Sequence, residues 1–103
     1  MKQKLSEIQI IPVKPRDGLV AFASFVLNDS FYVGDIAIHS RLGQEGFRLV
    51  YPMRTFRNGA RVNIFHPIKK EVAREIERQI SEAYQELLLK TAEERKRRGE
   101  AND

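Results

Sequence analysis

Apolar residues recur with period two over the first two-thirds of the chain and with period 3.6 over the last third, which predicts strands followed by one long helix. Ile8 and Ile10 alternate with Glu7 and Gln9. Pro12 and Pro15 suit the edge or end of that first strand, because proline cannot donate to a ladder. Arg16-Asp17-Gly18 is a turn signal. The run Leu19–Leu27 is almost wholly apolar, Asn28-Asp29 interrupts it, and Phe31–Ile38 follows, rich in aromatic and β-branched residues. Two such runs around Asn28-Asp29 predict a tight hairpin. The glycine-containing stretch Arg41–Gly46 reads as a loop. In the next strand Phe47, Leu49 and Tyr51 alternate with Arg48 and Val50. Asn58-Gly59 is the strongest short hairpin signal and should join that region to Arg61–Phe65.

His66-Pro67 closes the strand section, and Pro67 fits the first position of a helix. From Ile68 to Lys90 the residues Ile68, Val72, Ile76, Ile80, Ala83, Tyr84 and Leu87 fall on one broad face. Lys70, Arg74 and Arg78 form a row on the opposite side. Glu71, Glu75, Glu82 and Glu86 lie beside them, and Glu71–Arg74 and Glu75–Arg78 have i,i+3 spacing. As chemistry, this face reads first as a solvated surface stitched by weak ion pairs, and only second as a binding surface. Thr91-Ala92-Glu93-Glu94 matches a capping box, so a second short helix could begin there and end at Gly99, or the residues form a frayed polar tail. The expectation is an α+β fold: an antiparallel β meander of about five strands, then a long C-terminal helix. Residues 1–90 make a single domain and 91–103 a basic tail or short helix.

The strand Leu19–Leu27 is apolar on both sides, with Leu19, Ala21, Ala23, Phe25 and Leu27 on one and Val20, Phe22 and Val26 on the other. One helix can cover only one face of a sheet, so the other needs a second cover. Another copy of the chain is the simplest source, which predicts a homodimer.

Composition narrows the function classes. The 103 residues include 42% hydrophobic and 31% charged residues, which is globular composition. There is no cysteine, so neither a disulfide framework nor a thiolate metal site is available. No apolar run reaches the roughly 18 residues of a membrane helix, and no signal-peptide core follows Met1-Lys2-Gln3-Lys4. A cytoplasmic protein is expected. The net charge of +4 is unevenly placed. Between Arg41 and Arg61 stand Arg41, Arg48, Arg54, Arg57 and Arg61 against the single acid Glu45. Arginine suits bidentate phosphate contact and stacking.

Catalytic and metal chemistry find little support. His39 and His66 are far apart in sequence and match no zinc spacing. Ser24, Ser40 and His66 could in principle make a nucleophile and base, but a Ser24 hydroxyl inside an apolar strand is better read as bonded to backbone, and His66 before Pro67 as a helix-start or turn residue. Asp35, a charge beside Gly34 in an apolar strand, calls for an arginine partner from the 41–61 segment. No glycine loop of the phosphate-cradling kind occurs. What remains is arginine interleaved with aromatics: Phe47-Arg48, Tyr51-Pro52-Met53-Arg54 and Phe56-Arg57. Phe47 and Tyr51 belong to the core by alternation, whereas Phe56 beside the turn is a candidate exposed ring. Arg95-Lys96-Arg97-Arg98 is a second basic cluster, of a kind that is either a source of sequence-independent affinity or simply solvated.

The stretch Leu27-Asn28-Asp29-Ser30-Phe31-Tyr32-Val33-Gly34-Asp35-Ile36 resembles the strand–turn–strand segment of the SpoVG family of septation regulators. Gly46-Phe47-Arg48-Leu49-Val50-Tyr51-Pro52 is similar to that family's apolar strand ending in proline. Asn58-Gly59 stands where the family has Asp-Gly, and His66-Pro67-Ile68 matches the residues before its helix. The resemblance spans Leu5 to Leu89. It implies a homodimeric, bacterial, cytoplasmic α+β regulator of septation, sporulation and gene expression that binds DNA and RNA, with no enzymatic activity and no cofactor. The chain departs from the family at Pro52-Met53-Arg54-Thr55, where a serine and one basic residue are missing, with Arg57 and Arg61 nearby to restore charge. The loop Ser40–Glu45 is also slightly longer.

The candidate nucleic-acid-binding residues are therefore Arg54, Arg57 and Arg61 on the hairpin, Lys69, Lys70, Arg74 and Arg78 on the helix, and Arg95, Lys96, Arg97 and Arg98 at its end. The alternative is a protein–protein interaction module that docks a partner protein on the helix or a free sheet edge. An enzyme ranks last, and no metal site is expected.

Overall fold

The computed structural model describes residues 3–41, 43 and 46–98. Four strands, β1 (Leu5–Arg16), β2 (Leu19–Leu27), β3 (Phe31–Ser40) and β4 (Phe47–Val50), form an antiparallel sheet in the order β1-β2-β3-β4. Strands β5 (Met53–Thr55) and β6 (Arg61–Asn63) pair with each other in a separate two-stranded ribbon. Helix α1 (Lys70–Arg98) follows. The α+β meander-then-helix architecture matches the sequence pattern, but the strands divide between two sheets. Pro52, which has no N–H to donate, stands between β4 and β5 where a continuous strand would need one.

The turns obey their local chemistry. Asp17 and Gly18 both have positive φ, 51° and 90°, and Arg16 pairs with Leu19 across them. Two successive left-handed residues match the right-handed twist of the flanking strands. Asn28 and Asp29 are left-handed as well, and the β1 end pins their turn. Asn28 exchanges backbone and side-chain hydrogen bonds with Lys4, and Lys4 Nζ lies 2.9 Å from Asp29.

The sheet's faces are sorted by bulges rather than by strict alternation. Val33 and Ile36 are both buried although three residues apart, because Asp35 (φ 59°) is an extra residue in β3 opposite Ser24. A matching bulge at Glu7 (φ 48°) in β1 turns both Leu5 and Ile8 toward the core. Asp35 is exposed and forms no ion pair among the described residues. The expected arginine partner is therefore not present: the bulge turns the carboxylate outward to water and removes the need for one. A third register shift, at Val20, lets that residue pack against the core cluster rather than on the far face.

Ile76, Ile80 and Tyr84 of α1 pack on Ala21, Ala23, Phe25, Val33, Ile36 and Ile38. The small alanines on the central strand let the helix approach closely. Tyr84 meets Phe47 edge to face, with ring centroids 4.9 Å apart. Arg41 Nη2 reaches Glu77 Oε1 at 3.0 Å, tying the loop after β3 to the helix. Beside it the Tyr51 hydroxyl is buried with no hydrogen-bond partner among the described residues. Burial first, and the Glu77 charge second, push its pKa up to about 12.

Helix α1 starts at Lys70, with Ala73 N–H donating to Lys69 O, so Pro67 and Ile68 precede it rather than open it. It also continues unbroken to Arg98. Thr91 is not an N-cap: its Oγ1 donates to Leu87 O one turn back, inside the helix. No second helix begins there.

Candidate nucleic-acid interface

The ribbon sets the site. Its five-residue connection is closed by Phe56 N–H to Ala60 O at 2.8 Å, Gly59 N–H to Phe56 O at 2.9 Å and Ala60 N–H to Asn58 Oδ1 at 2.9 Å. Gly59 supplies the left-handed φ of 90° that this loop requires. Register Thr55↔Arg61, Arg54↔Val62 and Met53↔Asn63 puts Arg54 and Val62 on one side and Thr55 and Arg61 on the other. Arg54 Cζ stands 5.2 Å over the Phe56 ring, a cation–π contact that holds guanidinium and ring together as one exposed platform. Arg54, Phe56, Arg57 and Arg61 are all exposed.

Among the described residues, Arg54, Arg57 and Arg61 make no ion pair. The same holds for Lys69, Lys70 and Arg74, which are exposed where the chain leaves the ribbon and enters α1. Lys69 and Lys70 sit at the positive end of the helix dipole, where a cation is unfavourable by a few tenths of a kcal/mol or more.

The other sequence-predicted residues do not join this surface equally. Arg78 Nη2 is 2.7 Å from Glu75 and its Nη1 is 3.0 Å from Glu82, so its charge is already shared with two carboxylates. The Glu75–Arg78 pair expected from spacing forms, while Glu71–Arg74 is not among the ion pairs of the described residues. Lys96 is exposed. The side chains of Arg95, Arg97 and Arg98 lie outside the described residues, although their backbone is the last turn of α1. Twenty-six helical residues separate Lys70 from Lys96, roughly 39 Å at 1.5 Å per residue. Hairpin and tail therefore form two cationic regions at opposite ends of the helix. Arg48, which was not among the candidates, is exposed on β4 and makes no ion pair among the described residues. Its alternation with Phe47 and Leu49 was the available signal.

Metal and nucleophile readings gain nothing from the geometry. No group of three or more His, Asp and Glu able to hold an ion occurs among the described residues. His66 is exposed, its Nδ1 3.2 Å from Pro67 O. Ser40 Oγ leans on Gly18 O at 3.5 Å. No helix among the described residues is long and apolar enough to cross a membrane.

A four-stranded antiparallel sheet backed by one long helix, with a detached basic ribbon at the helix's N-terminal end, defines a small α+β protein with a protruding cationic hairpin. The SpoVG family model matches residues 3–86, and the chain belongs to the SpoVG family. It is 31% identical over 90 residues to a protein of Bdellovibrio bacteriovorus named "Putative septation protein SpoVG", covering 87% of this chain and 81% of the relative. Proteins of the same name in Phytoplasma australiense and an Anaeromyxobacter strain are 29% and 30% identical. The first alignment covers 89% of this chain and 94% of the relative, and the second 86% and 89%.

Proposed function

We propose that this chain is a nucleic-acid-binding regulatory protein of the septation type, acting in the cytoplasm as a homodimer and catalysing no reaction. The single observation that carries the reading is the Arg54–Phe56 platform on a ribbon whose other arginines, Arg57 and Arg61, are exposed and make no ion pair among the described residues. Free guanidinium groups contact phosphates, and an exposed ring beside them offers a face to an unpaired base. Lys69, Lys70 and Arg74 extend the same surface along the start of α1. Lys96 and its neighbours Arg95, Arg97 and Arg98 supply a second, distant phosphate contact. Septation is the role the relatives' name carries, and we extend it to this chain.

The dimer part is supported by the sheet face away from α1. There Ile11 and Tyr32 are 65% and 76% exposed, and with Phe22 they line a shallow groove of about 380 Å³. The test is fluorescence anisotropy of labelled single-stranded RNA, single-stranded DNA and duplex DNA at several salt concentrations. Log affinity should fall linearly with log salt, and Arg54→Ala with Arg57→Ala should weaken all sequences alike. Absence of binding to any of the three polymers at low salt would refute the reading.

A further inference from the structure

The turn of the ribbon holds a reactive dipeptide. Asn28, Asn58 and Asn63 are the asparagines among the described residues, and of these Asn58 alone is followed by glycine. Asparagine is a labile side chain. It loses its amide when the backbone nitrogen of the next residue attacks the side-chain carbonyl carbon and closes a succinimide ring. Asp29 after Asn28 and Ile64 after Asn63 crowd that approach with their Cβ substituents, whereas Gly59 has none. A Cβ at Gly59 would meet no atom within 4 Å, so this corner of the turn is open to water and base.

The local hydrogen bonds favour the attack at Asn58. Ala60 N–H donates to Asn58 Oδ1 at 2.9 Å. Negative charge develops on that oxygen as the ring closes, and a donor already in place stabilises it. Asn58 Nδ2, the group that departs, makes no hydrogen bond among the described residues. Asn28 is the contrast. Its Oδ1 accepts from Lys4 N–H at 2.9 Å, but its Nδ2 donates to Gln3 Oε1 at 3.0 Å, which holds the amide in place. One contact restrains Asn58: Gly59 N–H donates to Phe56 O at 2.9 Å, so the nitrogen attacks only when the turn opens. Every residue of β5 and β6 is exposed, and a lone two-stranded ribbon is marginal in water, so openings are frequent.

The geometry points to Asn58 as a site of self-modification that lowers the ribbon's hold on a polyanion. Base removes the Gly59 N–H proton, the nitrogen bonds to Asn58 Cγ, and the Cγ–Nδ2 bond breaks as ammonia leaves with a proton. Water then opens the imide at either carbonyl, giving aspartate or isoaspartate, with no change of oxidation state. Either product sets a carboxylate among Arg54, Arg57 and Arg61. Aspartate keeps an oxygen for Ala60 N–H. Isoaspartate lengthens the backbone by a carbon atom and moves Gly59 N–H away from Phe56 O. A polyanion bound to the closed ribbon slows the reaction in turn. The effect on binding rests on the nucleic-acid reading above, and the modification itself does not.

The test is incubation of the full chain at physiological temperature and mildly alkaline pH, with amide loss at each asparagine followed by peptide mass spectrometry. Asn58 should convert several-fold faster than Asn28 and Asn63, and several-fold slower when a single-stranded oligonucleotide saturates the protein. Aged protein should bind that oligonucleotide several-fold more weakly than fresh protein. Asn58→Asp should lower the slope of log affinity against log salt by about one. Asn58→Ser keeps an oxygen acceptor but cannot close the ring, and it should hold its affinity through the same incubation. Conversion at Asn58 no faster than at Asn63 would overturn the site. Full conversion with binding undiminished would overturn its effect on the ribbon, and equal rates with and without bound oligonucleotide would overturn the protection. Fresh protein that converts at Asn58 but binds no oligonucleotide would refute the nucleic-acid reading and leave the modification standing.

Discussion

The sheet and the ribbon are built from similar residue types and treat them in opposite ways. In the sheet, Phe25, Ile36 and Ile38 disappear completely beneath Ile76 and Ile80. In the ribbon, Phe56, Val62 and Ile64 stay in view beside three arginines that make no ion pair among the described residues. Burial of apolar area near 25 cal/mol per Å² is the main favourable term in folding, so the first arrangement explains itself. The second forgoes that gain and places like charges together. The fold of the monomer has no reason to keep it, and a binding surface does. The same contrast appears along α1: Arg78 is clamped by Glu75 and Glu82, whereas Lys70 and Arg74, and Lys69 just before the helix, make no ion pair among the described residues.

The comparison can be broken most forcefully in the core. Ile80→Ala removes a side chain with no exposed surface and should cost about 2–5 kcal/mol, read as a lowered denaturation midpoint. Val62→Ala, compared at a concentration where both proteins are monomeric, should stay within about 0.5 kcal/mol, the range of ordinary surface changes. Equal losses at the two sites would show that the ribbon is structural after all.

A smaller effect tests the bulge. Asp35 has φ 59°, which a β-branched residue adopts only with strain. Asp35→Val should destabilise by about 1–3 kcal/mol, while Asp35→Gly should be neutral or slightly stabilising, both measured by urea unfolding. If Asp35 were held by an ion pair instead, the glycine variant would lose stability too.

The Arg41–Glu77 pair is about one-third exposed at each end. Arg41→Ala should cost about 1 kcal/mol, and less at high salt. The smallest effect is expected at Tyr51, whose hydroxyl is buried without a partner among the described residues. Tyr51→Phe should leave stability unchanged or raise it slightly at neutral pH. The phenol's pKa rises from 10.0 to about 12 on folding, so the folded chain holds this proton more tightly than the unfolded one between those values. Stability should therefore fall as pH climbs from 10 to 12, and fall less in Tyr51→Phe.

Much of this was legible from local patterns. Asp17-Gly18, Asn28-Asp29 and Asn58-Gly59 mark turns because few other residues accept left-handed backbone, and the Ile76–Ile80–Tyr84 stripe marks the buried side of α1. Asp35 looked like a charge in need of a partner because alternation was assumed to run unbroken, and a bulge is invisible to a period-two count. The capping-box match at Thr91 failed for a related reason. A cap is required only where a helix starts, and α1 was already running through that residue. Which cations are free was not legible either. Arg74 and Arg78 occupy equivalent places in one row, yet among the described residues only the second is ion-paired, with Glu75 and Glu82.

The most direct test of the ribbon as the functional surface is an amide ¹H–¹⁵N titration of the whole protein with a short single-stranded oligonucleotide. Perturbed amides should cluster in Arg54–Arg61 and Lys69–Arg74, with those of Ala21–Phe25 and Ile76–Tyr84 silent. Perturbations confined to the outer sheet face around Phe22 and Tyr32, or none at all up to millimolar oligonucleotide in low salt, would contradict the account.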